Sequence, residues 1–323
     1  MLAIAHGLPF NDVADVSLGC AQGIGRGTVR QLCQAGARLV IADLNDAKGQ
    51  DVVESLEKFG QEQRHVTYMH VDVSSYDSVL ALFKSALDLH GRVDMAIHCA
   101  GITEIGGWFA PGTDIASVTT PPTTKVLEVN LFGSLYFTHV AVAAMGHNRA
   151  AQSSDNKSIT LVSSIAGFKE SPGLFTYSAS KHGIVGLMRS SRAYLHSTRN
   201  VRINVICPWA TDTQMIGGVR DIWTQNSLPM NDPDDVARII LQCAVDATIH
   251  GKAVYVADGK GFDIEEGLDR SEPDWLGEKQ ARDLAKGQAA LGTVSDSDTS
   301  LACIISNGPS VQGSAWTGNK GSQ

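Results

Sequence analysis

Positive charge is scarce in this chain. Its 26 Lys and Arg stand against 34 Asp and Glu, giving a net charge of −8 over 323 residues. A nucleic-acid partner needs a basic face, so none is expected. Long apolar runs are also missing. No stretch of about eighteen apolar residues occurs, and no membrane span is expected. The opening Met1-Leu2-Ala3-Ile4-Ala5-His6-Gly7 lacks the basic region and apolar core of a signal peptide, which points to a cytoplasmic protein. The six cysteines, at 20, 33, 99, 207, 243 and 303, form no C-x-x-C pair. Reduced thiols therefore fit better than a disulfide framework or structural zinc. The ten histidines show no H-x-x-x-H spacing, so no metal site is expected.

Apolar residues make up 43% of the chain, enough for a substantial core. The segments alternate between short buried runs and amphipathic stretches, which favours one α/β domain built on a doubly wound parallel sheet. Residues 19–25 read Gly19-Cys20-Ala21-Gln22-Gly23-Ile24-Gly25. A helical pattern follows, with Val29, Leu32, Cys33 and Ala37 on one face. Leu39-Val40-Ile41-Ala42-Asp43 then reads as a buried strand ending in an acid. Glycines let the backbone approach a pyrophosphate, and a helix N-terminus offers N–H donors to it. Asp43 lies 18 residues after Gly25, close to the spacing of a ribose-binding acid. A carboxylate there accepts from both ribose hydroxyls and repels a 2′-phosphate. NAD(H) is expected over NADP(H), which is not excluded.

Tyr177-Ser178-Ala179-Ser180-Lys181 carries the second signal, with Ser163-Ser164 upstream. A tyrosine is a poor acid or base near neutrality, its reference pKa being about 10. A lysine four residues on shares its helix face and is expected to lower that pKa. A serine hydroxyl beside the pair can hold a carbonyl or alcohol oxygen. A lone Tyr-x-x-x-Lys is usually a surface helix pair. The serine and the nucleotide-binding unit give this one a purpose.

Taken together, these segments resemble the short-chain dehydrogenase/reductase family over roughly residues 13–261. The family's G-x-x-x-G-x-G turn falls on Gly19, Gly23 and Gly25, and its strand-end acid on Asp72. Its N-N-A-G segment falls on His98-Cys99-Ala100-Gly101, its helix asparagine on Asn130, and its serine on Ser164. Its P-G-x-x-x-T segment falls on Pro208-Trp209, with the threonine at Thr213. The resemblance implies a single Rossmann-like sheet with helices on both faces. It implies an oxidoreductase interconverting a secondary alcohol and a ketone. Catalysis would fall to Asn130, Ser164, Tyr177 and Lys181, with Asn130 kinking its helix and holding a relay water. Cofactor contacts would come from Gly19, Gly23, Ile24, Gly25, Asp43, Asp72, Val73, Cys99, Ala100, Gly101, Tyr177, Lys181, Pro208, Thr211 and Thr213. Ser164, Tyr177 and Trp209 would meet the substrate. A homodimer or homotetramer is implied. Gly259-Lys260-Gly261-Phe262-Asp263 is similar to the last segment of some fungal secondary-metabolism members.

Departures from the family pattern keep other readings open. Leu18 stands where the family has threonine, Asp15 interrupts an apolar first strand, His98 and Cys99 replace two asparagines, and Trp209 replaces a glycine. Weakened cofactor binding would leave a non-redox cyclase or isomerase, or a dinucleotide-binding scaffold. A regulatory sensor would bind dinucleotide without turnover.

Along the chain, 1–12 reads as a loose lead-in, 13–261 as the domain, and 262–323 as an extension, partly disordered beyond 292. Strands are expected near 13–18, 38–42, 65–71, 93–98, 158–163, 201–207 and, finally, 253–257. Helices are expected near 24–35, 46–59, 76–90, 123–145, 176–195 and 233–247, with a short one at 275–290. Residues 147–157 read as an exposed loop. Segments 102–122 and 209–231 read as irregular substrate-covering stretches. Trp108 and Phe109 are candidates to line the pocket, and Met215, Ile216, Trp223 and Leu228 to form an apolar lid. His98, Cys99 and Cys207 read as packing residues rather than reactive groups, and His182 as structural.

Overall fold

The computed structural model describes residues 13–57, 66–147 and 156–292. The expected lead-in, the expected exposed loop apart from its ends, and the expected disordered stretch beyond 292 lie outside them. The chain divides into two compact units, the first reaching Asp269 and the second starting at Arg270.

The first unit is built on one eight-stranded sheet in the order β3-β2-β1-β4-β5-β6-β7-β8. Its strands are β1 (Ala14–Leu18), β2 (Arg38–Asp43), β3 (Val66–His70), β4 (Met95–His98), β5 (Lys157–Val162), β6 (Val201–Pro208), β7 (Ala253–Ala257) and β8 (Lys260–Asp263). All neighbours pair in parallel except β7 and β8. Successive side chains of a strand point to opposite faces. Val16, Leu18, Val40 and Ala42 therefore enter one core, and Leu39, Ile41, Met95 and Ile97 the other. Both faces are buried, as a parallel sheet requires.

Helices cover each face. On one side lie α1 (Gly23–Gln34) and α8 (Pro233–Val245), which pack together, and α2 (Asp46–Glu57). Arg30 and Asp234 form an ion pair between α1 and α8, and Gln31 Nε2 donates to Asp234 O at 2.8 Å. On the other side lie α3 (Tyr76–His90), α5 (Gly133–Gly146) and α6 (Phe175–Arg199). The short α4 (Lys125–Leu127) runs through a π-helical turn, Glu128–Phe132, into α5. Phe83 and Phe137 stack edge-to-face between α3 and α5 at 5.1 Å.

The expected doubly wound sheet with helices on both faces is therefore what forms, with three corrections. Ala253–Ala257 is not the last strand, because Lys260–Asp263 turns back on it through Asp258 and Gly259, both at positive φ. The extension carries two helices rather than one: α9 (Ile264–Leu276) and α10 (Glu278–Gly292). Segment 209–231 is not wholly irregular. It holds a 3₁₀ turn at Gln214–Ile216 and α7 (Arg220–Gln225). Among the described residues, Lys125–Gly146 is long and apolar enough to cross a membrane by length and composition. Its apolar residues Phe137, Val140, Ala141, Ala144 and Met145 pack into the core, which accounts for that composition.

Asp15 is fully buried in β1 rather than breaking it. Ser17 donates to its Oδ1 at 2.5 Å. Burial pushes its carboxyl up to about 7, with the nearby Asp94 adding to the rise.

Candidate active site

The carboxyl ends of the strands open onto a cleft of about 1350 Å³ that runs from Asp43 and Asp46 to Trp209 and Trp223. The turn between β1 and α1 forms its floor. Gly19 sits at φ +82°, and a Cβ there would collide with the Ala100 backbone. A Cβ on Gly25 would collide with the Gly19 carbonyl. Only glycine fits at either place. Gln22, the residue before α1, makes no side-chain cap, so no cap side chain competes for the helix's first N–H groups. The arrangement fits the pyrophosphate of a dinucleotide.

Asp43 closes one end of the cleft. Its Oδ2 accepts from Ala21 N–H at 2.9 Å and its Oδ1 from Asn45 N–H at 3.0 Å. Asp72 accepts from both the N–H (2.9 Å) and the hydroxyl (2.6 Å) of Ser74, which hold its carboxyl below the usual range. Thr213 packs on Gly23, where an added Cβ would lie 3.0 Å from its methyl. Lys48 Nζ donates to Gln22 Oε1 at 2.7 Å and to Gln214 Oε1 at 3.1 Å, tying segment 209–231 to the glycine turn.

At the middle of the cleft, Ser164 follows β5 and Tyr177 stands in the first turn of α6. Ser164 sits near the Tyr177 phenol and lowers its pKa. Lys181 lies 5.5 Å from the Tyr177 ring centroid and donates to Val162 O at 3.0 Å. Burial pulls the Lys181 amine down to about 8. The expectation that Lys181 lowers the Tyr177 pKa is corrected. Burial raises the phenol above its ordinary value, outweighing the lowering by Ser164. The reason is that a phenolate loses more solvation in this site than a lysine some distance off restores.

Asn130 is fully buried behind the cleft, inside the π turn, where Gly133 N–H reaches Glu128 O. Its Oδ1 accepts from Ile102 N–H at 2.8 Å. Its Nδ2 donates to Ile102 O at 2.9 Å and to Ser180 Oγ at 3.1 Å. Asn130 Oδ1 and Lys181 Nζ both flank Gly101, each 3.3 Å from where its Cβ would be.

Every residue expected to contact the cofactor lines this one cleft, as do Ser164, Tyr177 and Trp209. Asn130 alone of the expected set stands behind it. Thr211 is further occupied by its own loop, its hydroxyl donating to Trp209 O at 2.9 Å. Trp209 and Trp223 meet edge-to-face at 5.8 Å, and Met215 and Ile216 line the same end. Three expectations fail. Trp108 and Phe109 do not line the cleft. Phe109 is exposed and meets Phe175 edge-to-face at 4.8 Å. Leu228 also lies outside the lining. His98 is buried, and burial with the nearby Lys181 charge holds its pKa at about 3. Burial lifts Cys99 and Cys207 to about 12. None of the three is poised for proton or nucleophilic chemistry. His182 Nδ1 donates to Ser178 O at 2.9 Å, on the exposed side of α6.

Sequence reasoning missed two contributors. Ser180 donates to Tyr177 O at 2.6 Å. Its place inside the quoted Tyr177–Lys181 stretch was the available signal. Glu104 accepts from Tyr177 N–H at 2.8 Å and from the Thr176 hydroxyl at 2.6 Å. No local signal marks it, since its partners lie more than 70 residues away.

The profile of the family described as short chain dehydrogenase matches residues 16–222, well over half of the chain. The chain belongs to the short-chain dehydrogenase family. The 5′-hydroxyaverantin dehydrogenase of Dothistroma septosporum is 33% identical over 294 residues, covering 85% of this chain and 92% of that protein. A 5′-hydroxyaverantin dehydrogenase of Emericella nidulans is 29% identical over 296 residues, with the same coverage of 85% and 92%. A short-chain type dehydrogenase/reductase from Mycobacterium ulcerans shares the fold, with a TM-score of 0.67 at 22% identity, covering 85% of this chain and 99% of that one. This short-chain dehydrogenase is an NAD(P)(H)-dependent oxidoreductase of secondary alcohols and ketones.

Proposed function

We propose that the protein is an NAD(H)-preferring dehydrogenase of a small-molecule alcohol or ketone, using Ser164, Tyr177 and Lys181 for the proton chemistry. The observation that carries this is the convergence of Ser164, Tyr177 and Lys181 on one cleft, with Lys181 5.5 Å from the Tyr177 ring and Asp43 lining the same cleft. Gly19, Gly23, Ile24 and Gly25 would receive the pyrophosphate. Asp43 would take the adenosine ribose, and Asp72 and Val73 the adenine side. Cys99, Ala100, Gly101, Pro208, Thr211 and Thr213 would flank the nicotinamide half. When bound, the cofactor supplies or takes up the hydride at the carbonyl carbon.

The chain's own groups manage the oxygen. Ser164 holds it by hydrogen bond. In reduction the Tyr177 phenol donates its proton to that oxygen, and in oxidation the phenolate takes one back. Burial keeps the phenol protonated near neutrality, which suits the donor role. Lys181 supplies positive charge below about pH 8, and it would hold the nicotinamide ribose. Asn130 fixes the segment that faces Lys181. Trp209 and Trp223 form a wall for an apolar substrate. The two fungal relatives support a place in secondary metabolism. A cytoplasmic homo-oligomer fits the sequence and the family.

The test is Tyr177→Phe. NAD(H) binding, followed by fluorescence titration, stays near wild type, while turnover on the native alcohol or ketone falls by roughly 10²–10⁴-fold. Turnover within about threefold of wild type removes Tyr177 from the proton step.

A further inference from the structure

We propose that Glu104 is a positioning residue for Tyr177, holding the first turn of α6 in place from the segment that leaves β4. The inference rests on the proton role assigned to Tyr177 above.

The first turn of a helix has backbone N–H groups without partners inside the helix. A side chain just ahead of the helix usually takes one of them. In α6 that residue is Leu174, which makes no side-chain cap. Glu104 does the work instead, from far away in sequence. One carboxylate oxygen accepts from Tyr177 N–H at 2.8 Å and the other from the Thr176 hydroxyl at 2.6 Å. A carboxylate at a helix N-terminus also suits the dipole there.

The Tyr177 peptide is then held from both sides. Its N–H goes to Glu104, and its carbonyl accepts from Ser180 Oγ at 2.6 Å. Ser180 in turn accepts from Asn130 Nδ2 at 3.1 Å, and Asn130 grips both polar groups of the Ile102 main chain. Ile102 is two residues from Glu104. The bonds therefore close a ring: Tyr177, Ser180, Asn130, Ile102, Glu104 and back to Tyr177. Asn130 fixes where the segment starts, and Glu104 converts that fixed point into a fixed phenol. Without Glu104 the ring opens at the residue that moves the proton. A displacement of about 1 Å at such a residue is enough to cost 10²-fold in rate.

The position of the acceptor, more than its charge, is what Tyr177 needs. Glu104→Gln keeps a carbonyl oxygen to accept from Tyr177 N–H. Glu104→Ala keeps nothing. Two readouts test the inference in the full chain: kcat with NAD(H) Kd, and hydrogen exchange of the amides at 176–178. Glu104→Ala is expected to lower kcat about tenfold or more, leave NAD(H) Kd within about twofold, and speed amide exchange in that turn. Glu104→Gln is expected to recover most of the lost kcat. The milder Thr176→Val removes one bond without touching Glu104 and is expected to lower kcat by about two- to fivefold, so it stands in if the alanine variant does not fold. Faster exchange with unchanged kcat overturns the positioning role. Unchanged exchange in Glu104→Ala, a glutamine variant as slow as the alanine one, or unchanged kcat in Thr176→Val does so too. If wild type turns over no alcohol or ketone, the proposed function fails, while the exchange measurement still reports on the ring.

Discussion

Asp43 presents two carboxylate oxygens, each already bonded to one backbone N–H, from Ala21 and from Asn45. Each oxygen keeps a lone pair for a ribose hydroxyl. A 2′-phosphate would instead meet a fixed negative charge that its two backbone bonds keep from swinging away. Wild-type Kd is therefore expected to be lower for NAD(H) than for NADP(H), and Asp43→Ser is expected to narrow the ratio by tenfold or more, about 1.4 kcal/mol. Tighter NADP(H) binding by the wild type defeats this. At Tyr177 the direction of the pKa gives a second expectation. Burial raises the phenol, so reduction, which uses the protonated form, is favoured below that raised pKa. Oxidation uses the phenolate and is expected to gain kcat/KM as pH rises from 7 to 9. A flat or falling oxidation profile over that range counts against Tyr177 as the base. The residues of this site were legible where spacing along one element fixes them, as Tyr177 and Lys181 do on α6. They were not legible where tertiary packing decides. The rise in the Tyr177 pKa comes from burial, and Glu104 acts across the fold, so neither leaves a trace in local sequence.

Among the elements, α8 was the easiest to read. Asp232 followed by Pro233 announces a helix start, and Asp232 Oδ1 accepts from Asp234 N–H at 2.8 Å. Its Val236, Ile239 and Ile240 then face the sheet. Asp232→Ala is expected to destabilise the protein by about 1 kcal/mol, measured by urea unfolding, with no change in NAD(H) binding. No loss of stability would mean that Pro233 and the packing on α1 alone define the start. Other elements were hidden for physical reasons. β8 is a short edge strand with Lys260 outside and two glycines around its turn, a pattern that reads as loop. The π turn at Glu128–Phe132 depends on Asn130 reaching Ile102 across the fold, and period alone shows only a long apolar helix. In α9, Pro273 lies inside the helix, which discourages a helical reading of 264–276.

At the scale of the whole molecule, a single buried carboxyl should be visible in the stability curve. Asp15 ionises near 3.8 when unfolded but holds its proton to about 7 when folded. Between those values the folded state binds more protons, so this group's contribution to stability falls as pH rises and levels off above about 7. Asp15→Asn removes the titration and keeps an oxygen for the Ser17 hydroxyl, at 2.5 Å in the native chain. Its stability relative to wild type is expected to improve by about 2–3 kcal/mol between pH 5 and pH 8, read from urea midpoints at the two values. An equal difference at both pH values would show that Asp15 does not titrate in this window. The sheet and its two helical layers were the most legible feature at this scale, because parallel strands buried on both faces must be apolar throughout. Asp15 was legible as an anomaly, but its meaning required knowing that the strand still forms around it.

The strand order also bears on how the chain is made. β1 sits inside the sheet, with β2 and β3 on one side and β4 through β8 running outward in sequence on the other. As the polypeptide leaves the ribosome, each strand from β4 onward can add to an edge that already exists, and none has to be wedged between two that have already paired. Assembly can thus proceed in one direction, with synthesis and docking in step. Until each successor arrives, the newest apolar strand is an open edge and a template for the wrong neighbour. Growth stops at β8, which reverses direction and carries Lys260, a charged and antiparallel margin that offers little to a further strand.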